Sequence, residues 1–184
     1  MRMRTLELLH HNPKWADLFK AEEDLLRFVL GDVVVGIHHV GSTSVIGLMA
    51  KPIIDILLEV KAHEVLDSRG DGLIANGYTP KGEFGIPGRR FFVKGGENPT
   101  HHVHAFVEGD ANIDRHLAFR DYLRGNPDVA KQYQEVKQHA LAACGNDIGK
   151  YCELKNDFIQ SAEAAALRLG SASRRNNGGG IRNG

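Results

Sequence analysis

Asp55 is the one charge inside the apolar run Ile53-Ile54-Asp55-Ile56-Leu57-Leu58. An ionised carboxylate in such a run loses its hydration at heavy cost unless a cation, a metal or a proton compensates. A short way upstream lies Val40-Gly41-Ser42-Thr43-Ser44. Its glycine clears space for an approaching anion, while the N–H groups and the hydroxyls of Ser42, Thr43 and Ser44 supply donors. Downstream, His101-His102-Val103-His104 alternates. On a strand, His102 and His104 project from one face about 6.6 Å apart along the chain. Two neutral imidazoles and one carboxylate make a recognised open set for a metal, and the same imidazoles also suit a phosphate group or simple ordering of the sheet. The candidate ligands are Asp55, His102 and His104, with Asp55 and Ser42 as the candidate catalytic residues.

Further cations surround this set in sequence. Lys51, just before Asp55's strand, either meets a phosphate or sits in solvent. The loop Gly82-Glu83-Phe84-Gly85-Ile86-Pro87-Gly88 ends in Arg89-Arg90, and a guanidinium fork at either position suits a phosphate. Lys155 follows Asp147 and Tyr151 at helical spacing and is a further candidate for substrate contact. Glu59 shares Asp55's face but lies roughly 13 Å away at strand rise, too far for one ion to bind both. Of His38 and His39, only one can face the site.

These side chains need a sheet to hold them. Asn12-Pro13 opens a helix in which Trp15, Leu18, Phe19, Leu25, Leu26 and Val29 recur at helical spacing up to Gly31. Val33–Val40 and Ile53–Val60 read as strands, and Ala62–Asn76 as a surface helix weakened by Gly70 and Gly72. Residues 78–108 are glycine-punctuated hairpin pieces, Arg89–Lys94 and His101–Glu108 among them. From there the pattern is helical: His116–Arg124, Asp128–Cys144 and Ile148–Leu169. The order predicts an α+β (α/β) domain, a mixed sheet with flanking helices and a helical C-terminal part. One domain over 1–170 and a polar, disordered tail over 171–184 are expected.

The 184 residues are 42% hydrophobic and carry 23 basic and 23 acidic side chains, for zero formal charge. That balance argues against general nucleic-acid binding. No apolar run approaches the roughly 20 residues that cross a bilayer. The expected partner is a small molecule, a nucleotide or another phosphate-bearing ligand, with no membrane. Cys144 and Cys152 match no metal or redox spacing and read as reduced thiols, which points to the cytoplasm. The oligomeric state is open.

Several long motifs in fixed order resemble the GrpB family (UPF0157 type). They are Asn12-Pro13-Lys14-Trp15, His39 to Val45, Lys51 to Ile56, Gly82 to Arg90, Thr100 to His104 and His116 to Leu123. The resemblance implies a mixed sheet of nucleotidyltransferase type. It also implies a transfer of a nucleoside monophosphate from an NTP to an acceptor. In that reading Gly41 and Ser42 hold phosphates and Asp55 holds a divalent ion, Mg2+ first, with Mn2+ or Zn2+ as alternatives. Active members of that superfamily usually carry a second acid where this chain has Leu57. The alternatives are a nucleotide- or CoA-binding module without catalysis, consistent with fusion of the domain to some dephospho-CoA kinases, and a metal enzyme using Asp55, His102 and His104.

Overall fold

In a computed structural model, residues 6–177 are described, apart from the side chains of 171–177. The chain divides into two compact units, Met1–Ile113 and Asp114–Gly184.

The first unit opens with α1, Lys14–Leu30. Asn12 Oδ1 accepts the Lys14 N–H at 3.0 Å, and Gly31 ends the helix at φ +58. The helix buries Trp15, Glu22, Leu26 and Leu30, one seam at helical spacing. Five strands follow: β1 Val34–Val40, β2 Ile54–Val60, β3 Tyr78–Pro80, β4 Arg90–Lys94 and β5 His101–Val107. They form one sheet in the order β1-β2-β5-β4-β3. β2 and β5 run parallel, whereas β1–β2, β3–β4 and β4–β5 are antiparallel. This is the mixed sheet expected from the sequence.

Strand alternation separates the two faces. Ile54, Ile56, Leu58 and Val60 of β2 join Val103 and Ala105 of β5 in the main core, with Trp15, Leu26 and Leu30 of α1. The intervening side chains of β2, among them Asp55 and Glu59, point the other way.

Residues 62–76 depart from the single helix expected. They form two short helices, α2 His63–Ser68 and α3 Gly70–Ala75, broken at Arg69. Gly72 does more than weaken this segment. A Cβ there would lie 2.8 Å from Val29 Cγ1, so the bare backbone lets α3 lie against α1.

Glu22 is a carboxylate in the apolar seam of α1, buried and fully engaged. It accepts from Tyr78 Oη at 2.7 Å and from Lys94 Nζ at 2.8 and 2.9 Å. Burial first, and then the Glu22 charge, push the Tyr78 phenol well above its ordinary range, so it stays a donor. The network ties α1 to the β3–β4 edge of the sheet.

Helix α4, Ala111–Gly125, starts at the end of the first unit and runs into the second, which also holds α5 Pro127–Ala143 and α6 Ile148–Asn177. Here α4 begins five residues before the His116 expected, since Asp110 Oδ1 accepts the Asn112 N–H at 2.8 Å and starts the turn early. α6 continues past Leu169 to Asn177, and residues 178–184 of the expected disordered tail lie outside the described residues. Tyr133 of α5 stacks on Phe158 of α6 at 5.2 Å and meets Phe119 of α4 edge-on at 5.6 Å. Among the described residues, no helix is long and apolar enough to cross a membrane.

Replacing Glu22 with Ala strands the Tyr78 hydroxyl and the Lys94 ammonium. The expected cost is about 2–4 kcal/mol, because removing one partner leaves the others desolvated and unmatched. Urea unfolding should show the loss as a lower midpoint at unchanged slope.

Candidate functional site

β2 presents Asp55 beside His102 of β5, its direct neighbour in the parallel register, while Leu57 stands beside His104. Both imidazoles therefore share Asp55's face. His102 Nδ1 lies 3.3 Å and His104 Nε2 3.4 Å from the same Asp55 oxygen, Oδ1. The ring centroids are 6.4 Å apart, and one ligand atom from each of the three residues lies within 4.8 Å of the others. The side chains are part-buried, at 30%, 24% and 15% exposure for Asp55, His102 and His104. Phe91, opposite His104 on β4, packs 5.0 Å from its ring and 5.3 Å from that of His102.

Burial is the largest influence on Asp55 and works against its ionisation. Hydrogen bonds from His102 and His104, reinforced by the charge each ring carries when protonated, overcome it and hold the carboxyl well below the usual carboxylate range.

The turn after β1 touches this carboxyl. Gly41 has φ +70, and a Cβ there would lie 2.6 Å from Asp55 Oδ2, so both backbone shape and space demand glycine. The turn closes on itself, since the Ser44 N–H and hydroxyl both donate to Gly41 O, at 3.1 and 2.6 Å. The Thr43 hydroxyl is buried against His39 Nε2 at 2.9 Å, and the His39 ring stacks on Phe19 at 4.8 Å. Thr43 and His39 thus brace the turn. Ser42 within the turn and Lys51 further along the connection to β2 are both half-buried.

Besides Lys51, the cations found by sequence fall in three different places. Arg89 is buried, donating Nε to Glu83 O at 3.1 Å and Nη2 to Phe84 O at 2.6 Å. Its Nη1 stands 3.2 Å from His104 Nδ1. Arg90 forks onto Asp67, with Nε 3.1 Å from Oδ1 and Nη2 3.1 Å from Oδ2. Lys155 belongs to the second unit, its ammonium 5.0 Å from the centre of the Tyr151 ring. His101 faces away from Asp55, as alternation requires, and lies 3.8 Å from Glu22.

Two features escaped sequence reasoning. His38, in register with Leu57, is the member of its pair that shares Asp55's face, and its Nε2 lies 2.6 Å from Glu59 Oε1. Gly36 makes room for this pair, since a Cβ there would be 2.9 Å from His38 Nε2. Period-two alternation on both strands would have put His38 and Glu59 on one face. Their pairing is diagonal: Gly36 stands opposite Glu59, and His38 lies two residues further along the same face. The second feature is Lys137 on α5, buried with its ammonium 4.8 Å from the Tyr133 ring centre. Burial first, and then Lys155, lower its pKa to about 7. No local signal in the sequence marks it.

A family model described as "GrpB protein" matches residues 5–165. The UPF0157 protein YqkA of Bacillus subtilis is 46% identical over 165 residues, which are 90% of this chain and 48% of that protein, so the chain spans about half its length. The crystal structure of conserved protein GrpB from Enterococcus faecalis superposes with a TM-score of 0.84 at 39% identity, covering 89% of this chain and 98% of that one. A structure of Cid1 in complex with its short product ApU covers 70% of this chain and 41% of its own at 16% identity and a TM-score of 0.49, a distant likeness from which no function follows.

Replacing either histidine with Ala leaves burial less opposed, so the Asp55 carboxyl should titrate higher in His102→Ala and in His104→Ala. Carboxyl 13C NMR across pH reads this directly. The sign for the intact protein follows from the depressed folded pKa. The stabilisation is fully present above the unfolded value of about 3.9 and is lost as pH falls toward the folded one.

Proposed function

The chain belongs to the GrpB family, and from that premise we propose that its first unit holds the centre of a divalent-cation-dependent nucleotidyltransferase. The observation that carries the reading is the Asp55 carboxylate, held between two imidazoles and pressed against a glycine turn that admits no side chain. One charged oxygen and two ring nitrogens within 4.8 Å fit a cation. Asp55, His102 and His104 are the residues that would hold it, and two nitrogen donors favour Mn2+ or Zn2+ over Mg2+. Such an ion, when bound, supplies positive charge against a phosphoryl oxygen.

The chain's own groups supply the rest. Gly41 and Ser42 receive phosphate oxygens through N–H and hydroxyl donors, and Lys51 adds positive charge toward the leaving pyrophosphate. The acceptor hydroxyl forms a new bond to the α-phosphorus while the α–β bridge breaks, and pyrophosphate leaves. The acceptor's proton needs a base, and His38 is assigned that role. Glu59 at 2.6 Å takes the Nε2 hydrogen and leaves a lone pair on Nδ1. The ligand is a nucleotide or another phosphate-bearing small molecule, met in the cytoplasm.

Leu57 favours a second reading. It is fully buried where a second acid would stand, so a paired-ion mechanism lacks one of its holders. A single-ion hydrolase or isomerase using the same three residues is the alternative. A nucleotide- or CoA-binding module without catalysis is the non-enzymatic one.

The test uses α-labelled nucleoside triphosphates with Mn2+, Zn2+ or Mg2+ against a panel of hydroxyl acceptors. Label should move to an acceptor with release of pyrophosphate. Asp55→Asn should lower that transfer by about 10²–10³-fold or more, with the fold intact by circular dichroism. Undiminished transfer in Asp55→Asn sinks the assignment, and tight nucleotide binding without turnover selects the binding module.

A further inference from the structure

Arg89 faces His104 in a way that has consequences for the whole trio. A guanidinium carries only donors and keeps its proton in proteins. At 3.2 Å from Arg89 Nη1, His104 Nδ1 must therefore be the acceptor. A neutral imidazole has one acceptor and one donor nitrogen, so the ring proton sits on Nε2. That is the nitrogen 3.4 Å from Asp55 Oδ1, which it meets as a donor.

A metal needs the opposite arrangement at this ring. Ligation through Nε2 takes the lone pair there and puts the proton on Nδ1, where ligating histidines normally find a carboxylate or carbonyl to receive it. At His104 that place is filled by a cationic donor. His104 becomes a ligand through Nε2 only when Arg89 lets go.

Arg89 is built to stay. It is 6% exposed, its guanidinium lies 4.7 Å from the Phe91 ring centre, and Nε and Nη2 are bonded to Glu83 and Phe84 carbonyls. Those carbonyls belong to the glycine-rich loop, whose Phe84 adopts φ +46, a conformation unusual for a side chain of that bulk.

We propose that Arg89 is a positioning residue that fixes the His104 proton on Nε2, and that it thereby sets the trio's affinity for a metal ion. With Arg89 in place, His104 is a donor that orders the Asp55 carboxylate. Release of Arg89 turns the same ring into a ligand, so ion entry and the seating of the Gly82–Gly88 loop are coupled through one side chain. The tautomer stands on geometry alone. The metal half rests on the function proposed above.

The experiment pairs long-range 1H–15N NMR of the histidine rings in metal-free protein with Co2+ titration followed by absorbance. Intact protein should show His104 as the Nε2–H tautomer. Arg89→Met should shift it toward the Nδ1–H form and tighten Co2+ binding about tenfold, the scale on which groups behind a ligand act. Arg89→Lys retains the positive charge. Its Co2+ affinity staying near that of Arg89→Met assigns the effect to the fixed donor, and a return to the parental affinity with His104 as the Nδ1–H form assigns it to charge and overturns the proposal. A proton on Nδ1 in the intact protein overturns it as well, whatever the variants do. If no protein binds Co2+, the metal reading of the site fails, while the tautomer in intact protein and in Arg89→Met still decides the role of Arg89.

Discussion

A carboxylate set in a strand of buried hydrocarbons must be supplied with donors, and in this protein the donors come from another strand. Asp55 has Ile54 and Ile56 packed into the core on either side. Its charge survives because His102 and His104 converge on one of its oxygens. That requirement accounts for the rest of the site. The parallel pairing of β2 with β5 puts His102 exactly alongside, and two residues further on the same pleat delivers His104. The turn at Gly41 closes the other side, with nothing wider than a hydrogen atom able to occupy the gap.

Much of this was legible in the sequence because the signals are local. A lone acid in an apolar run, a glycine followed by hydroxyls, and a histidine on every second residue are each readable within a few positions. The strands carrying them were placed to within a residue or two, and the motifs fit the GrpB family that the comparisons establish. What stayed hidden depends on partners distant along the chain. Nothing local marks Glu22, whose partners Tyr78 and Lys94 lie 56 and 72 residues away. His38 and Glu59 could be assigned a face by alternation, but their contact needs the β1–β2 register that sets Gly36 opposite Glu59. Arg89 reads as a candidate phosphate clamp at the end of a glycine-rich loop. Its actual engagement with two carbonyls of that loop and with His104 is a matter of tertiary folding. Gly72 was read through helix propensity alone, although its close approach to Val29 is a packing requirement.

The polar groups of the sheet face form two sets, the trio around Asp55 and the pair His38–Glu59, with Leu57 between them in register with both His38 and His104. Leu57 is fully buried. A hydrocarbon in that position offers no hydrogen bond to either set and screens their charges from each other only weakly. A second acid there would have fused them into a single carboxylate-rich field.

The parallel β2–β5 ladder also bears on how the molecule comes together. Its partners, such as Asp55 and His102, are 47 residues apart, and β3, β4 and two helices lie between them. β1 and β2 adjoin through a short connection and can zip early, whereas β5 must close a long loop before it docks. Until then the Asp55 carboxylate has neither imidazole, and the strand that carries it offers an open edge of unpaired amides and carbonyls. Synthesis reaches β5 only after the glycine-rich hairpin pieces, so the Asp55–His102–His104 trio is completed by the same pairing that closes the sheet.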